Sequence, residues 1–341
     1  MHCVRETSCR MSEKPIVAIA LSRSVHEMMF TPQDLSRLRA AASVMGPAET
    51  GALEHVAPLL RDAVVAITGW GSAPFDDALL AKCPKLRLVA HSAGSVKSIV
   101  TESLYDRGVK VTTAAAANAA PVAETTVAMM VVMLKRFPWL FNSGGNRKAL
   151  QAIGPVRELR DISVGLISAS RVGREVIRLL KGYPRLRVLV YDPYLSADAA
   201  LDLGVELASL EQVCRCDVLS VHGPSIPETR HMLNAQTLGL LPDHAVLINT
   251  SRGSLIDEAA LVAEVRRRPL YVYLDVTDPE PPAADSPLLN EPNILLTPHI
   301  AGAMSQARKD MGRLAIDETL RFLRGEALEH EVTRAMLPTQ A

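Results

Sequence analysis

Residues 164–175 read VGLISASRVGRE, and the chain continues as VIRLL to residue 180. An apolar run that ends at Ile167 enters a turn of small residues, and Gly173 opens an amphipathic segment. Strand, turn and helix in this order are typical of a dinucleotide-binding turn, whose usual pattern is G-x-G-x-x-G. Ser168 and Ser170 stand at the first two glycine positions, and only Gly173 is kept. The stretch predicts a βαβ unit, but leaves open whether its turn binds a cofactor or is only a corner of the fold.

The next strand candidate, RVLVYD at 187–192, ends in an acid. Asp192 lies 24 residues after Ser168, near the spacing of about 20 expected for a carboxylate that binds the ribose of a dinucleotide. This carboxylate would accept hydrogen bonds from both ribose hydroxyls and would repel a 2′-phosphate. The spacing therefore predicts a cofactor site for NAD rather than NADP, formed by Ser168, Ser170, Gly173 and Asp192.

Short apolar runs alternate with helical patterns through most of the chain. Runs of this length without polar alternation are typical of strands that are buried on both faces of a parallel sheet. The pattern resets after an alanine-rich stretch at 114–120, where a long helix is predicted over 121–137. We predict an α/β fold with two doubly wound domains. The strand candidates are 16–21, 64–68, 86–90, 109–113, 163–167, 187–191, 217–221, 244–249, 270–275 and 294–297.

The composition excludes several classes of protein. The 341 residues contain 37 basic and 37 acidic side chains, and this zero net charge argues against a general nucleic-acid binder. No apolar run reaches the roughly 18 residues of a membrane helix. Five scattered cysteines fit a reducing cytoplasm better than a disulfide framework, and no metal site is expected. Residues 1–12 are polar and are predicted to be a disordered extension.

Three polar side chains follow strand candidates late in the chain. Arg252 comes after the strand that ends near Asn249, Glu280 follows Asp275, and His299 follows the strand at 294–297. Ligands of an open parallel sheet bind outside the carboxyl ends of its strands. A carboxylate can fix a histidine ring for proton transfer, and an arginine binds a carboxylate in a two-pronged grip. Beside a nicotinamide, these groups suit reversible hydride transfer between NAD(H) and a 2-oxo acid.

Longer motifs surround these residues. They read DVLSVHGPSIPETRHML (217–233), INTSRGSLIDEAAL (248–261) and LDVTDPEPPAADSPLLNEPNILLTPHIAG (274–302). Together they resemble the D-isomer-specific 2-hydroxyacid dehydrogenases, over roughly residues 40–330. The resemblance implies a Rossmann NAD-binding domain inserted in a flavodoxin-like substrate domain, with the active site in the cleft and dimerisation through the Rossmann domain. The implied ranges are 118–299 for the NAD-binding domain and 13–117 plus 300–336 for the substrate domain.

The resemblance also implies roles for individual residues. Arg252 resembles the family's substrate-orienting arginine, Glu280 its histidine-pairing carboxylate and His299 its acid/base. The residues implied to contact the cofactor are Arg171, Val172, His222, Gly223, Pro224, Thr250, Ser251 and Asp275. The residues implied to bind substrate, besides Arg252, are Ala93, Gly94 and Ser95 in HSAGSVKS and Asn118 in ANAAPVAE.

The chain departs from the family pattern in ways that keep other functions open. Ser168 and Ser170 replace glycines, and Lys97 stands where an aspartate is expected, either solvated or attracting a second anionic group of the substrate. Glu280 argues against a formate dehydrogenase, which would pair its histidine with glutamine. A phosphite dehydrogenase shares the catalytic residue types arginine, glutamate and histidine, so that function stays open. An NAD-sensing regulatory protein and a scaffold that has lost its cofactor are the alternatives to an enzyme.

Overall fold

A computed structural model describes residues 14–339 of the chain, so the predicted disordered extension at 1–12 lies outside the described residues. The chain divides into two compact units. One contains the described residues up to Ala114 together with Lys309–Arg334, and the other contains Ala115–Arg308 with the described residues that follow Arg334. The second unit begins at Ala115, where a long helix starts, and it includes the loop at 300–304, which bonds to other residues of this unit.

The first unit is built on a five-stranded parallel sheet in the order β2-β1-β3-β4-β5. This order is the flavodoxin-like one and confirms the predicted fold class for this unit. Its strands are β1 (Ile16–Ile19), β2 (Ser43–Met45), β3 (Val65–Thr68), β4 (Leu88–His91) and β5 (Lys110–Thr113). Its helices are α1 (Arg23–Met29), α2 (Pro32–Ala41), α3 (Leu53–Leu60), α4 (Asp77–Leu80) and α5 (Glu102–Asp106).

The second unit is built on a seven-stranded parallel sheet in the order β12-β11-β10-β9-β6-β7-β8. The order reverses between β6 and β9, as in a Rossmann fold. The strands are β6 (Ser163–Ile167), β7 (Arg187–Tyr191), β8 (Glu206–Leu207), β9 (Val218–Val221), β10 (Val246–Asn249), β11 (Tyr271–Leu274) and β12 (Ile294–Leu296). The helices are α6 (Ala115–Leu134), α7 (Phe137–Leu140), α8 (Ala149–Ala152), α9 (Arg171–Leu180), α10 (Ala197–Leu203), α11 (Leu210–Val213), α12 (Ala235–Leu238), α13 (Glu258–Arg267) and α14 (Ser305–Leu323), the last of which continues into the first unit.

Two hydrophobic cores cover the faces of the seven-stranded sheet. Successive side chains of a strand point to opposite faces, so Val246 and Ile248 enter one core while Leu247 enters the other. On α9 the buried residues recur at helical spacing, from Gly173 through Val176 and Ile177 to Leu180. This stripe joins the first core, where α9 packs against α6.

The long helix begins earlier than predicted. We expected it over 121–137, with Pro121 as its first residue, but α6 spans Ala115–Leu134 and contains Pro121 in its interior. Alanine is the strongest helix former, so the alanine-rich stretch starts the helix. Among the described residues α6 alone is long and apolar enough to cross a membrane by length and composition. That is weak evidence, because core helices pass the same test, and α6 packs against α9 and β10.

Candidate functional site

The register of the seven-stranded sheet aligns its carboxyl ends. Ile167 pairs with both Tyr191 and Val221, and Asn249 pairs with both Val221 and Leu274. The residues that follow these strands therefore leave the sheet along one edge. Almost all of the proposed cofactor and catalytic residues follow strands of this sheet in the sequence, and the structure brings the ends of these strands together.

The serine turn, Ser168 to Ser170, joins β6 to α9. Ser168 has a left-handed backbone, with φ of 77°, a conformation that glycine adopts freely and serine rarely. Gly173 packs directly on it, because a Cβ at this position would lie 2.2 Å from the Ser168 carbonyl oxygen. The Ser170 hydroxyl accepts a hydrogen bond from the Gly173 N–H at 3.3 Å and caps α9. The first N–H groups of α9, including those of Arg171 and Val172, have no intrahelical acceptor and can face an anion.

Asp192 closes this turn from the end of β7. Its Oδ2 accepts hydrogen bonds from the Ala169 N–H at 2.8 Å and the Ser168 hydroxyl at 3.1 Å. Its Oδ1 accepts from the Tyr194 N–H at 2.9 Å. The carboxylate predicted to bind ribose is thus half-buried and tied to the turn itself.

His222 follows β9, at the point where the strand order reverses. The ring is buried, and neither of its nitrogens has a hydrogen-bond partner among the described residues. Burial lowers the pKa of His222 to about 3, so the ring is neutral near pH 7. Gly223 is buried beside it, with Leu255 at 3.2 Å from where a Cβ would lie, and Pro224 accepts a hydrogen bond from Thr229. An unsatisfied polar ring at a switch point is typical of a ligand-binding position.

Glu280 and His299 meet at the ends of β11 and β12. The Glu280 Oε1 lies 2.6 Å from the His299 Nδ1, and both side chains are about half exposed. His299 has a left-handed backbone, with φ of 54°, and its N–H donates to the Asp275 carbonyl at 3.0 Å. With Nδ1 bonded to the carboxylate, Nε2 is the ring nitrogen that can exchange a proton with a ligand.

Asp275 holds the backbone around this histidine. It is buried, and its carboxylate accepts hydrogen bonds from the Ile300 N–H at 2.9 Å, the Ala301 N–H at 2.8 Å and the Thr297 hydroxyl. The structure therefore gives Asp275 a positioning role that the sequence did not suggest. Its implied contact with the nicotinamide stays a prediction.

Arg252 follows β10 and lies close enough to Glu280 for their charges to interact. Burial lowers the pKa of the Arg252 guanidinium, and the Glu280 carboxylate partly offsets this effect. One of its nitrogens donates to the Ser251 carbonyl at 2.6 Å. Asn249 orders the same loop, because its amide bonds the Ser251 N–H, the Ser251 hydroxyl and the Arg252 carbonyl. Thr250 is buried and shares a hydrogen bond with Thr126 of α6.

A second anchor holds the loop that carries Glu280. The Asp278 N–H donates to the Glu258 carboxylate at 2.8 Å, and the Asp278 side chain pairs with Arg230 at 3.2 Å. Burial raises the pKa of Glu258, and the hydrogen bond from the Asp278 N–H opposes this effect. Neither Glu258 nor Arg230 was predicted from the sequence as a partner of this loop. Glu258 stands at the first position of α13 in IDEAAL, where an acid is usual at any helix start, so the sequence contained no sign of this contact.

The predicted substrate loop lies in the first unit, after β4. The Ala93 carbonyl accepts from the Ala114 N–H at 3.0 Å and from the Thr113 hydroxyl at 3.2 Å, and the Gly94 carbonyl also accepts from Thr113. The N–H of a trans peptide points opposite to its carbonyl. The N–H groups of Gly94 and Ser95 therefore point away from these contacts, as a backbone anion cradle requires.

Asn118 lies on α6, where its side-chain oxygen accepts a hydrogen bond from the Ala303 N–H at 2.6 Å. Gly302 packs against the same side chain, since a Cβ there would lie 2.5 Å from its oxygen. Asn118 thus fixes the loop that follows His299. Its implied role in substrate binding stays a prediction.

Comparison with known proteins identifies the family. Residues 127–301, half of the chain, match the sequence model of the NAD binding domain of the D-isomer specific 2-hydroxyacid dehydrogenases. The chain belongs to this family. The D-isomer specific 2-hydroxyacid dehydrogenase match assigns the seven-stranded unit as an NAD-binding domain. It confirms the family that the motifs resembled and the cofactor class expected from the serine turn.

Individual members of the family cover most of the chain. A glyoxylate reductase of Korarchaeum cryptofilum is 31% identical over 259 residues, which are 74% of this chain and 78% of that protein. A D-3-phosphoglycerate dehydrogenase of Methanocaldococcus jannaschii is 30% identical over 294 residues, 84% of this chain but 55% of that protein. The chain thus spans about half the length of the phosphoglycerate dehydrogenases that it matches. D-mandelate dehydrogenase of Rhodotorula graminis shares the fold, with a TM-score of 0.80, 20% identity and coverage of 94% and 98% of the two chains.

Proposed function

We propose that the protein is an oxidoreductase that transfers a hydride between NAD(H) and a small 2-oxo or 2-hydroxy acid of D configuration. The observation that carries this proposal is the hydrogen bond between Glu280 and His299, formed beside Arg252 on the sheet edge that also carries the serine turn. A binding protein has no physical need for this acid–base pair. The pair therefore favours catalysis over the NAD-sensing and scaffold alternatives.

The cofactor site fits NAD on three features of the described residues. The serine turn brings the start of α9 close to β6, Asp192 stands at the next strand end, and the unpartnered His222 ring lies at the switch point. We propose that the start of α9 binds the pyrophosphate and that Asp192 binds the adenosine ribose and disfavours a 2′-phosphate. The remaining cofactor contacts proposed are Gly223, Pro224, Thr250, Ser251 and Asp275. When bound, the nicotinamide supplies or accepts the hydride.

His299 is proposed to move the proton of the reaction. In reduction, its Nε2 donates a proton to the substrate oxygen that becomes the hydroxyl, and in oxidation it accepts that proton back. Glu280 fixes the ring through Nδ1 and stabilises the charged imidazolium. Because Asp275 binds the backbone on both sides of Ile300, the ring keeps its place while the proton moves.

Arg252 is proposed to bind the substrate carboxylate and polarise the adjacent carbonyl. Its guanidinium donates to the Ser251 carbonyl, and the Asn249 amide holds the backbone of the same loop, so the group is partly ordered before the substrate binds. The N–H groups of the loop at Ala93, Gly94 and Ser95 are the second proposed carboxylate donors, and Asn118 is proposed as a further substrate-binding residue. The relatives' names suggest glyoxylate and phosphorylated three-carbon acids as candidate substrates.

We also propose a cytoplasmic homodimer. Phe137 is 45% exposed and Phe141 is 78% exposed, both just after α6, and adjacent exposed aromatic rings are enriched at interfaces between subunits. Sedimentation of the purified chain tests this part, with a monomer at micromolar concentration contradicting it.

The first experiment is a fluorescence titration with NADH, with NADPH as comparator, followed by an assay of NADH oxidation in which 2-oxo acids are reduced. The panel contains glyoxylate, hydroxypyruvate, pyruvate and their phosphorylated and branched analogues. NADH binding with turnover of one member supports the proposal. NADH binding without turnover of any member supports the regulatory alternative, absence of binding supports the scaffold, and tighter NADPH binding contradicts the role of Asp192.

A further inference from the structure

The acceptor sites of Asp192 are almost all used within the protein. An ionised carboxylate has about four acceptor sites, two on each oxygen. The Oδ2 sites are taken by the Ala169 N–H and the Ser168 hydroxyl, and one Oδ1 site is taken by the Tyr194 N–H. One site on Oδ1 remains, whereas the adenosine ribose of NAD offers two neighbouring hydroxyls.

We infer that Ser168 sets the affinity for the cofactor, because its hydroxyl occupies the Asp192 acceptor site that one of the two ribose hydroxyls would otherwise use. This inference rests on the proposed NAD site and goes beyond it, since it assigns a limiting role to a residue that the family pattern gives as glycine. A glycine at this position would leave Oδ2 with one backbone donor and one open site.

The backbone of Ser168 fixes the position from which its side chain reaches Asp192. With φ of 77°, the residue lies in the left-handed region, and its N–H is fixed by the Tyr191 carbonyl at 2.8 Å while its carbonyl oxygen lies against Gly173. The hydroxyl therefore stays within reach of Oδ2 whether or not a ribose is present. A ribose hydroxyl that is to bond Oδ2 must therefore displace the Ser168 hydroxyl; otherwise it has no acceptor on this oxygen.

The test compares the wild-type protein with Ser168→Ala and Ser168→Gly in NADH titrations. Both variants remove the hydroxyl, and only the second also removes the Cβ. We expect both to bind NADH about 3-fold to 10-fold more tightly, the range of one net hydrogen bond. The matched control is Arg185→Gly, which removes the side chain of another residue with a left-handed backbone, with φ of 56°. Arg185 precedes β7 and so lies at the amino ends of the strands, away from the proposed cofactor site. This variant should leave NADH affinity unchanged.

Adenosine monophosphates identify the contact without relying on a variant. AMP, 2′-deoxy-AMP and 3′-deoxy-AMP compete with NADH for the site. In the wild-type protein we expect one of the two deoxy compounds to compete less well than AMP and the other to compete as well as AMP. In Ser168→Ala both deoxy compounds should compete less well than AMP. Equal penalties for both deoxy compounds in the wild-type protein would overturn the inference, even where both variants fail to fold.

The outcomes separate this inference from the proposed function. Wild-type NADH binding with unchanged or weaker binding by both variants overturns the role of Ser168 and leaves the NAD site standing. NADH binding by the variants alone supports the inference strongly. Absence of NADH binding by all three proteins contradicts both the inference and the proposed cofactor site.

Discussion

The two halves of the carboxyl edge of the seven-stranded sheet are held in different ways. Past β10 to β12, buried side chains fix each functional group, with Asp275 holding the backbone beside His299 and Asn249 holding the loop of Arg252. Past β6 and β7, the serine turn is held by one half-buried carboxylate and by the close packing of Gly173. The catalytic half is therefore fixed by many contacts and the cofactor half by few, so substitutions in the two halves should have different effects.

The largest effect is expected at His299. Asparagine tolerates the left-handed backbone that this residue requires, so His299→Asn removes the acid/base without straining the loop. Turnover of the identified 2-oxo acid should fall about 10²-fold to 10⁴-fold, while the Kd for NADH stays within about 2-fold.

His231→Asn is the control, because His231 also has a positive φ, of 50°, and takes no part in the proposed chemistry. Unchanged turnover in His299→Asn would remove the acid–base assignment. A large loss of NADH affinity in that variant would show that the two halves are not independent.

Gly173→Ala tests the packing on which the cofactor half depends. The added Cβ would lie 2.2 Å from the Ser168 carbonyl oxygen, so the turn must open away from α9. We expect NADH binding to weaken by more than about 10-fold and the free energy of unfolding to fall by about 1–3 kcal/mol.

Gly182→Ala provides the comparison for this substitution. It follows the same helix, and its Cβ would make an ordinary contact of 3.5 Å with the Leu179 carbonyl. Equal NADH affinities in the two variants would mean that the close approach of α9 to the turn is not needed.

The pH dependence of stability tests the boundary between the two halves, where His222 follows β9. Its pKa is about 3 in the folded protein and about 6.5 in the unfolded chain, so the unfolded chain binds the proton first as pH falls. The contribution of the neutral His222 ring to the free energy of unfolding is fully present above about pH 6.5. It is lost as the pH falls towards 3, by up to about 1.4 kcal/mol per pH unit. His222→Leu should make urea unfolding less dependent on pH between 7 and 4.5.

His91→Leu is the matched variant in the first unit, because burial lowers the pKa of His91 to about 4. It should reduce the pH dependence over the same range. An unchanged slope in His222→Leu would show that water or an ion reaches the His222 ring.

The smallest effect is expected at Ser170. As the N-cap of α9 it accepts from the Gly173 N–H, and replacing a capping serine by glycine costs only a few tenths of a kcal/mol. Ser170→Gly should leave the NADH affinity unchanged within about 2-fold, or slightly improved, as measured by the same titration. A loss of about 10-fold would show that this hydroxyl contacts the cofactor directly, and Ser170→Ala would then lose as much.

The sequence predicted ten of the twelve strands of the described residues and missed two of the edge strands. Apolar runs identified all ten strands that are buried or nearly so, because their period and length depend on local residues. β2 and β8 were missed, since they are short and mostly exposed edge strands that contain Ser43 and Glu206. The start of α6 was misplaced because the alanine-rich stretch at 114–120 was placed before the helix, although alanines favour a helix and α6 packs against α9.

Residue types at strand ends could be predicted, and the family resemblance also indicated the pairing of Glu280 with His299, but the partners of the other residues could not be predicted. A histidine or carboxylate after a buried strand identifies a candidate, since parallel strands deliver their ends to one edge. The bonds from Asp192 to Ser168 and from Glu258 to the Asp278 N–H depend on side-chain rotamers and on distances between loops far apart in the sequence. Only coordinates supply that information.

The structure of the loop at 93–95 affects which substitutions this protein can accept during evolution. Its carbonyls are tied inward by Thr113 and Ala114, so its outward groups belong to the backbone, and a Cβ at Gly94 would meet nothing within 4 Å. A substitution at Gly94 can therefore add a side chain without removing the N–H groups of the loop. Under the carboxylate-binding role proposed for this loop, descendants of the protein can vary this position and so the preferred substrate, while they inherit the same backbone donors.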